Sequence, residues 1–241
     1  MLDCAALAAG ERVLDVACGT GLVAFGAAEA VGPVGSVLGI DLSDGMLHAA
    51  RRQAEVRRLS NVRFERMDAE LLVLADASFD VCLCALGLMY LPEPERAVRA
   101  MRRVTRPGGR LSIAVWGERS RCGWADLFPI VDAEVSSEVC PMFFRLGQSD
   151  ALTRLCADAQ FEVIALHRIA TQLIYVDADE ACDAAFVGGP VALAWSRLDA
   201  RARARVRSRY LAAIAAWRDG AGYRLPAEFV VIEARATGAE R

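Results

Sequence analysis

The chain has 241 residues, 55% of them hydrophobic and 24% charged, which excludes a disordered chain and suits one α/β domain with insertions. Its net charge of -3 sets 28 basic residues, all arginine, against 31 acidic ones, and gives no electrostatic reason to expect nucleic acid. No apolar run reaches the roughly 18 to 20 residues that span a bilayer. The first ten residues carry Asp3 and no basic cluster, so neither a membrane anchor nor a secretory signal is expected and a cytoplasmic setting is the default.

Strand-like and helix-like patterns alternate through the first half, the rhythm of βα units. Arg12 to Ala17 reads as a buried strand, Gly21 to Val31 as a helix, Val37 to Asp41 as a second strand and Ser43 to Arg58 as a second helix capped by the Ser43 hydroxyl. Val62 to Met67 alternates apolar and polar residues, as an edge strand should, whereas Phe79 to Leu86 is almost wholly apolar and reads as a central one. Pro94 opens a helix to about Val104, and Pro107-Gly108-Gly109 is expected to turn the chain into the strand Arg110 to Trp116. The rhythm then breaks. Residues 117 to 148 form an irregular apolar insertion, followed by a helix at Ser149 to Asp158 and a strand at Phe161 to Ala170. A second insertion, 177 to 225, contains an arginine-rich helix from Asp199 to Trp217, whose buried stripe is expected at Val206, Tyr210, Ala213, Ile214 and Trp217. The strand Glu228 to Ala236 completes the sheet. The whole chain is thus expected to be one domain, 1 to 241, with a cofactor half at about 10 to 116.

The strongest motif is Val13-Leu14-Asp15-Val16-Ala17-Cys18-Gly19-Thr20-Gly21, a buried strand that enters a glycine turn and then a helix. Glycines there let the main chain approach a ligand closely. The turn also fits the dinucleotide form G-x-G-x-x-A, so by itself it leaves nicotinamide cofactors open. Asp41 ends the second strand about 20 residues later, where an acid accepts ribose hydroxyls. Asp68, after the third strand, is placed to accept from an adenine amino group, and Tyr90 follows the central strand at the edge where α/β sheets bind ligands.

The ordered set VLDVACGTG, GIDLSDGML, MDAE, FDVCLCALGLMYL and RPGGRL resembles the class I S-adenosylmethionine-dependent methyltransferases, especially the branch with the quinone-biosynthesis C-methyltransferases. The resemblance covers about residues 10 to 116. It implies a Rossmann-like α/β fold, a seven-stranded, mostly parallel sheet of order 3-2-1-4-5-7-6 with the last strand antiparallel and two substrate-side insertions. It also implies S-adenosylmethionine as cofactor and S-adenosylhomocysteine as product. Asp15, Gly19 and Gly21, with the turn residues Ala17 and Cys18, would surround the methionine part. Asp41 would hold the ribose, Asp68 and the Ala69 main chain the adenine, and Leu42 and Met46 would line the adenine or ribose face. Two departures stand out: the first strand begins at about Arg12, where relatives carry an additional helical stretch before it, and Gly87-Leu88-Met89-Tyr90-Leu91 stands where many relatives place a His or other polar pair. No catalytic base carries over. Tyr90 is the one candidate catalytic residue.

In-line methyl transfer needs alignment more than a base. The expected acceptor is therefore a carbon or oxygen of a small, partly apolar molecule, with Trp116, Trp124, Phe128, Phe143 and Phe144 as candidate pocket residues. Other readings stay open: methylation of a soft element such as arsenic with Cys122 and Cys140 as thiol ligands, a nicotinamide oxidoreductase, or a catalytically silent partner protein. The eight cysteines lack zinc-finger spacing, so no metal site is expected. Neither nucleic acid nor membrane is an expected partner, and the sequence does not speak to oligomeric state.

Overall fold

The computed structural model describes residues 1–135 and 143–238; Cys140 lies outside them. In chain order the elements are α1 (Leu2–Ala5), β1 (Arg12–Val16), α2 (Leu22–Val31), β2 (Ser36–Asp41), α3 (Asp44–Arg57), β3 (Val62–Arg66), β4 (Phe79–Ala85), α4 (Pro94–Val104), β5 (Thr105–Trp116) and α5 (Leu127–Asp132). There follow α6 (Ala151–Asp158), β6 (Phe161–Tyr175), α7 (Ala178–Phe186), α8 (Ala192–Arg197), α9 (Ala200–Ala213), β7 (Arg218–Asp219) and β8 (Gly222–Ala236).

The sheet runs β3-β2-β1-β4-β5-β8-β6, with the two-residue β7 paired antiparallel to β8. Setting that short strand aside, this is the expected Rossmann-like order, in which the last long strand inserts between the two before it. The β3-β2, β2-β1, β1-β4 and β4-β5 pairs are all parallel. Burial follows position: Val13, Leu14 and Val16 of β1 and Val81, Cys82, Leu83 and Cys84 of β4 are fully covered, while β3 at the edge alternates buried Val62 and Phe64 with exposed Arg63 and Glu65. Two-sided cover is what a parallel sheet needs when crossover helices pack on both faces.

The Ser43 hydroxyl caps α3 by accepting from the Met46 N–H at 3.3 Å, and Asp177 and Asp199 cap α7 and α9 in the same way. The Pro-Gly-Gly segment behaves differently from expectation. β5 already starts at Thr105, which pairs with Phe79, and the register then jumps so that Arg110 pairs with Val81. Pro107-Gly108-Gly109 is therefore a bulge within a strand rather than a turn before one. Gly108 has φ +72°, and a Cβ on Gly109 would lie 2.8 Å from the carbonyl oxygens of Arg106 and Asp80. Asp80 pins the bulge to β1 by accepting from the Arg12 N–H at 2.7 Å and from the Arg106 guanidinium at 2.6 Å.

The chain divides into two compact units: Met1–Val115 with Leu146–His167 and Val230 onward, and Trp116–Arg145 with Arg168–Phe229. The insertions 117 to 148 and 177 to 225 supply most of the second. The core of the first unit gathers Val13, Phe25, Val31, Leu47, Phe64, Val81 and Leu83 around β1 and β2. In the second unit, β6 and β8 are longer than their apolar patterns suggested. Gly222 permits this, because a Cβ there would lie 2.1 Å from the Tyr175 carbonyl oxygen.

Helix α9 ends at Ala213, short of Trp217, and its buried stripe is Ala202, Val206 and Tyr210, with Ile214 just beyond. Phe186 stacks on Trp195 at 4.5 Å and meets the Tyr210 ring edge-on. Three arginines of α9 reach other elements of this unit. Arg205 pairs with Glu134, Arg207 with Asp179, and Arg203 donates to the Trp195 and Ser196 carbonyls, fastening α9 to its neighbours within this unit. Among the described residues no helix is long and apolar enough to cross a membrane.

Candidate functional site

The loops after β1, β2, β3 and β4 all leave the carboxyl ends of parallel strands, the edge at which open α/β sheets bind ligands. After β1 the backbone enters the left-handed region three times, at Ala17 (φ +55°), Gly19 (φ +54°) and Gly21 (φ +89°). For Ala17 that conformation costs about 1 to 2 kcal/mol, so packing must hold it. The packing comes from the loop after β4, where a Cβ on Gly87 would lie 2.4 Å from the Ala17 Cβ. Leu86, beside it, is also left-handed at φ +55°. Only glycine lets the two loops close on each other. No local spacing marks this need at Gly87, or at Gly39, where a Cβ would lie 2.7 Å from the Phe64 ring and 3.0 Å from the Cys18 sulfur.

Gly19 is required for its backbone alone, since a Cβ there would meet nothing within 4 Å. That side of the turn is open. Asp41 holds the turn from β2: one carboxylate oxygen accepts from the Gly19 N–H at 2.9 Å and the other from the Ser43 N–H at 2.8 Å. Each oxygen keeps a lone pair for a further donor.

Beneath the turn lies Asp15, 1% exposed, with no hydrogen-bond partner on either carboxylate oxygen. Burial, helped by the negative charge of Asp41 and opposed by the Ala24 backbone, pushes its pKa up to about 7. A buried carboxylate without donors is costly. A ligand carrying donors or positive charge would offset that cost. Cys18 is buried beside it, and burial with the charges of Asp15 and Asp41 raises its thiol far above the ordinary range.

After β3, Asp68 accepts from the Glu70 N–H at 2.9 Å and Ala69 is buried. Glu70 in turn accepts from the Glu93 N–H at 2.8 Å, tying this loop to the start of α4. Leu42 and Met46 are 57% and 47% exposed at the same edge, leaving apolar surface that a ligand there can cover. Tyr90 is half exposed on a single 3-10 turn, Leu88–Tyr90. The candidate cofactor residues and Tyr90 thus share one edge of the first unit.

The aromatic pocket candidates belong to the second unit, and they pack on one another. Trp124 meets Trp116 at 4.9 Å, Phe128 at 6.0 Å, Phe143 at 5.8 Å and Phe144 at 5.4 Å, and all but Trp116 are buried. This is a core of edge-on and tilted rings. Cys122 is buried, and burial raises its thiol, the opposite of an activated thiolate. His48 is exposed and His167 pairs with Glu233 at 2.6 Å.

These residues fit S-adenosylmethionine. The orphaned Asp15 carboxylate answers a cationic group, the open face of Gly19 admits one close to the main chain, and the free lone pairs of Asp41 suit a diol.

Comparison with known proteins agrees with the geometry. Residues 13–109 match the family model described as "Methyltransferase domain". The chain is 42% identical over 100 residues to the demethylmenaquinone methyltransferase of Geobacillus kaustophilus, covering 42% of this chain and 43% of that one. It is 38% identical over 112 residues to the aklanonic acid methyltransferase of a Streptomyces species, covering 46% and 51%. The alignments thus span about half the length of these curated relatives. A crystal structure from Bacillus halodurans, described as a candidate methyltransferase, superposes with a TM-score of 0.68 over 98% of this chain and 97% of that one at 23% identity, a likeness of fold. Residues 13–109 are thus similar to the methyltransferase domain, and the sheet order is the one that the resemblance implied.

Proposed function

We propose that this chain is a methyltransferase that binds S-adenosylmethionine at the carboxyl edge of β1 to β4 and methylates a carbon or oxygen of a small, partly apolar molecule. The observation that carries the reading is Asp15: a fully buried carboxylate that accepts no full hydrogen bond and is eased only by the Ala24 backbone, directly under a glycine turn that Asp41 holds open. When bound, the cofactor supplies a methyl group on a positively charged sulfur. Asp15, Ala17, Cys18, Gly19 and Gly21 surround its methionine part, and the negative charge of Asp15 offsets its cationic groups. Asp41 accepts the ribose hydroxyls with the lone pairs left over from Gly19 and Ser43. Asp68 accepts from the adenine amino group beside the Ala69 main chain, and Leu42 and Met46 cover the ring and sugar.

Tyr90 lies at the same edge and is proposed to touch the acceptor. The main task of these residues is alignment, which can contribute about 7 to 11 kcal/mol to a two-body displacement. The matched relatives are named for demethylmenaquinone and aklanonic acid, which supports a small-molecule acceptor. A cytoplasmic setting belongs to the same proposal, supported by the free state of all seven described cysteines.

Titrating the chain with S-adenosylhomocysteine and, separately, with NADH tests the cofactor. Binding of the first and not the second is expected; the reverse would sink the proposal. Incubation with methyl-labelled cofactor and a metabolite extract, followed by mass spectrometry, then tests turnover. Binding without any labelled product would favour a silent, methyltransferase-like role.

A further inference from the structure

Away from that edge, three side chains from distant parts of the chain converge within the first unit. Cys4 stands on α1, His167 on β6 and Glu233 on β8. One sulfur, one ring nitrogen and one carboxylate oxygen all lie within 4.8 Å of one another. His167 and Glu233 sit on neighbouring strands of the sheet, so their pairing at 2.6 Å follows from cross-strand geometry. Cys4 arrives by a separate device. The Arg110 guanidinium donates to the Ala5 carbonyl at 2.9 Å and the Ala6 carbonyl at 3.0 Å, and pairs with Glu11 at 2.6 Å, which anchors α1 at its last turn.

We propose that Cys4, His167 and Glu233 form a binding site for one divalent transition-metal ion of the zinc type. Thiolate, imidazole and carboxylate are the three donor classes that zinc takes, at bond lengths that set ligand atoms about 3.3 to 3.8 Å apart in a tetrahedron. The sulfur already lies within reach of that geometry, and the His167–Glu233 pair needs only to open slightly. With the His167 side chain 44% exposed and that of Glu233 27%, an ion has a path in and water can take the fourth position.

Binding balances simply. The Cys4 thiol gives up its proton to solvent as the sulfur–metal bond forms. In the neutral ring the proton that Nε2 donates to Glu233 moves through solvent to Nδ1, which frees the Nε2 lone pair for the metal. One proton leaves per ion bound. Because the three ligands come from α1, β6 and β8, the ion would fasten the short first helix to the sheet. An imidazole–carboxylate pair on paired strands, with Cys4 as a bystander, is the competing reading.

Cobalt(II) added to the metal-free chain separates the two. The proposal expects one ion per chain, a thiolate-to-cobalt charge-transfer band that zinc abolishes, and a rise in unfolding midpoint with either metal. Cys4→Ser should lose the band. His167→Ala and Glu233→Gln should weaken binding at least about tenfold, the lower end of what losing even an outer-shell partner costs. His48→Ala, at the other, exposed histidine, should leave it unchanged. These side chains are partly exposed, and the unfolding midpoints without metal report whether each variant is intact. Absence of the charge-transfer band in the intact chain, or cobalt affinity in Cys4→Ser equal to the parent, would overturn the site.

Discussion

Asp15→Asn perturbs the candidate site where its physical signature is sharpest. In the folded chain burial pushes the carboxyl pKa up to about 7, against 3.8 for an unperturbed aspartate. Between those values the unfolded chain has released a proton that the folded chain retains. Stability therefore falls as pH rises from about 4 to about 7 and is flat outside that window. At 1.36 kcal/mol per pKa unit, the loss approaches about 4 kcal/mol for the apo protein above pH 8. Asparagine has the same shape and cannot ionise, so the variant should lack this slope. Its unpartnered amide costs about 1 to 3 kcal/mol, a cost comparable to that of the neutral acid it replaces. The apo variant should thus match the parent near pH 4.5 and exceed it by about 2 to 4 kcal/mol at pH 8. Urea unfolding at several pH values measures the difference, in which titration of other groups cancels. A difference that stays constant with pH would refute the account of Asp15 as a buried, unsatisfied acid.

The same group links cofactor to proton. S-adenosylhomocysteine should bind the parent more tightly as pH rises through about 7, with proton release visible by calorimetry in two buffers of different ionisation enthalpy, and Asp15→Asn should abolish both effects. Asp41→Ala removes the acceptor for the Gly19 and Ser43 N–H groups and should weaken that ligand by roughly 1.5 to 3 kcal/mol; unchanged affinity in titration calorimetry would remove Asp41 from the site. Gly87→Ala drives a Cβ against Ala17 and should destabilise the chain by about 1 to 3 kcal/mol in urea, while an unaltered midpoint would show that the two loops yield freely. Tyr90→Phe should lower kcat on the eventual acceptor with S-adenosylhomocysteine affinity intact; a loss of cofactor binding instead would reassign the residue.

Much of the first unit was legible from local chemistry. Alternation in Val62 to Met67 and its absence in Phe79 to Leu86 placed one strand at the edge and the other in the centre, since covering both faces removes any need for polar residues. The Ser43 cap, the glycine turn and the acid at the end of β2 are each set by neighbours a few residues away, so their spacing could be read directly. What resisted reading depends on contacts between segments far apart in the chain. The Ala17–Gly87 approach, the orphaning of Asp15, the bulge at Pro107-Gly108-Gly109 and the extra length of β6 and β8 exist only once the sheet has assembled. The ring cluster of Trp124, Phe128, Phe143 and Phe144 looked alike as pocket or core until burial showed the rings covering one another. Cys4, His167 and Glu233 have no spacing to betray them. Sequence alone determined the strands and the cofactor edge, because backbone periodicity and turn chemistry act over a handful of residues, while the strand order came from the family resemblance. Only the tertiary structure decided which side chains are left without partners and which distant ones meet, because burial and proximity belong to the packed chain.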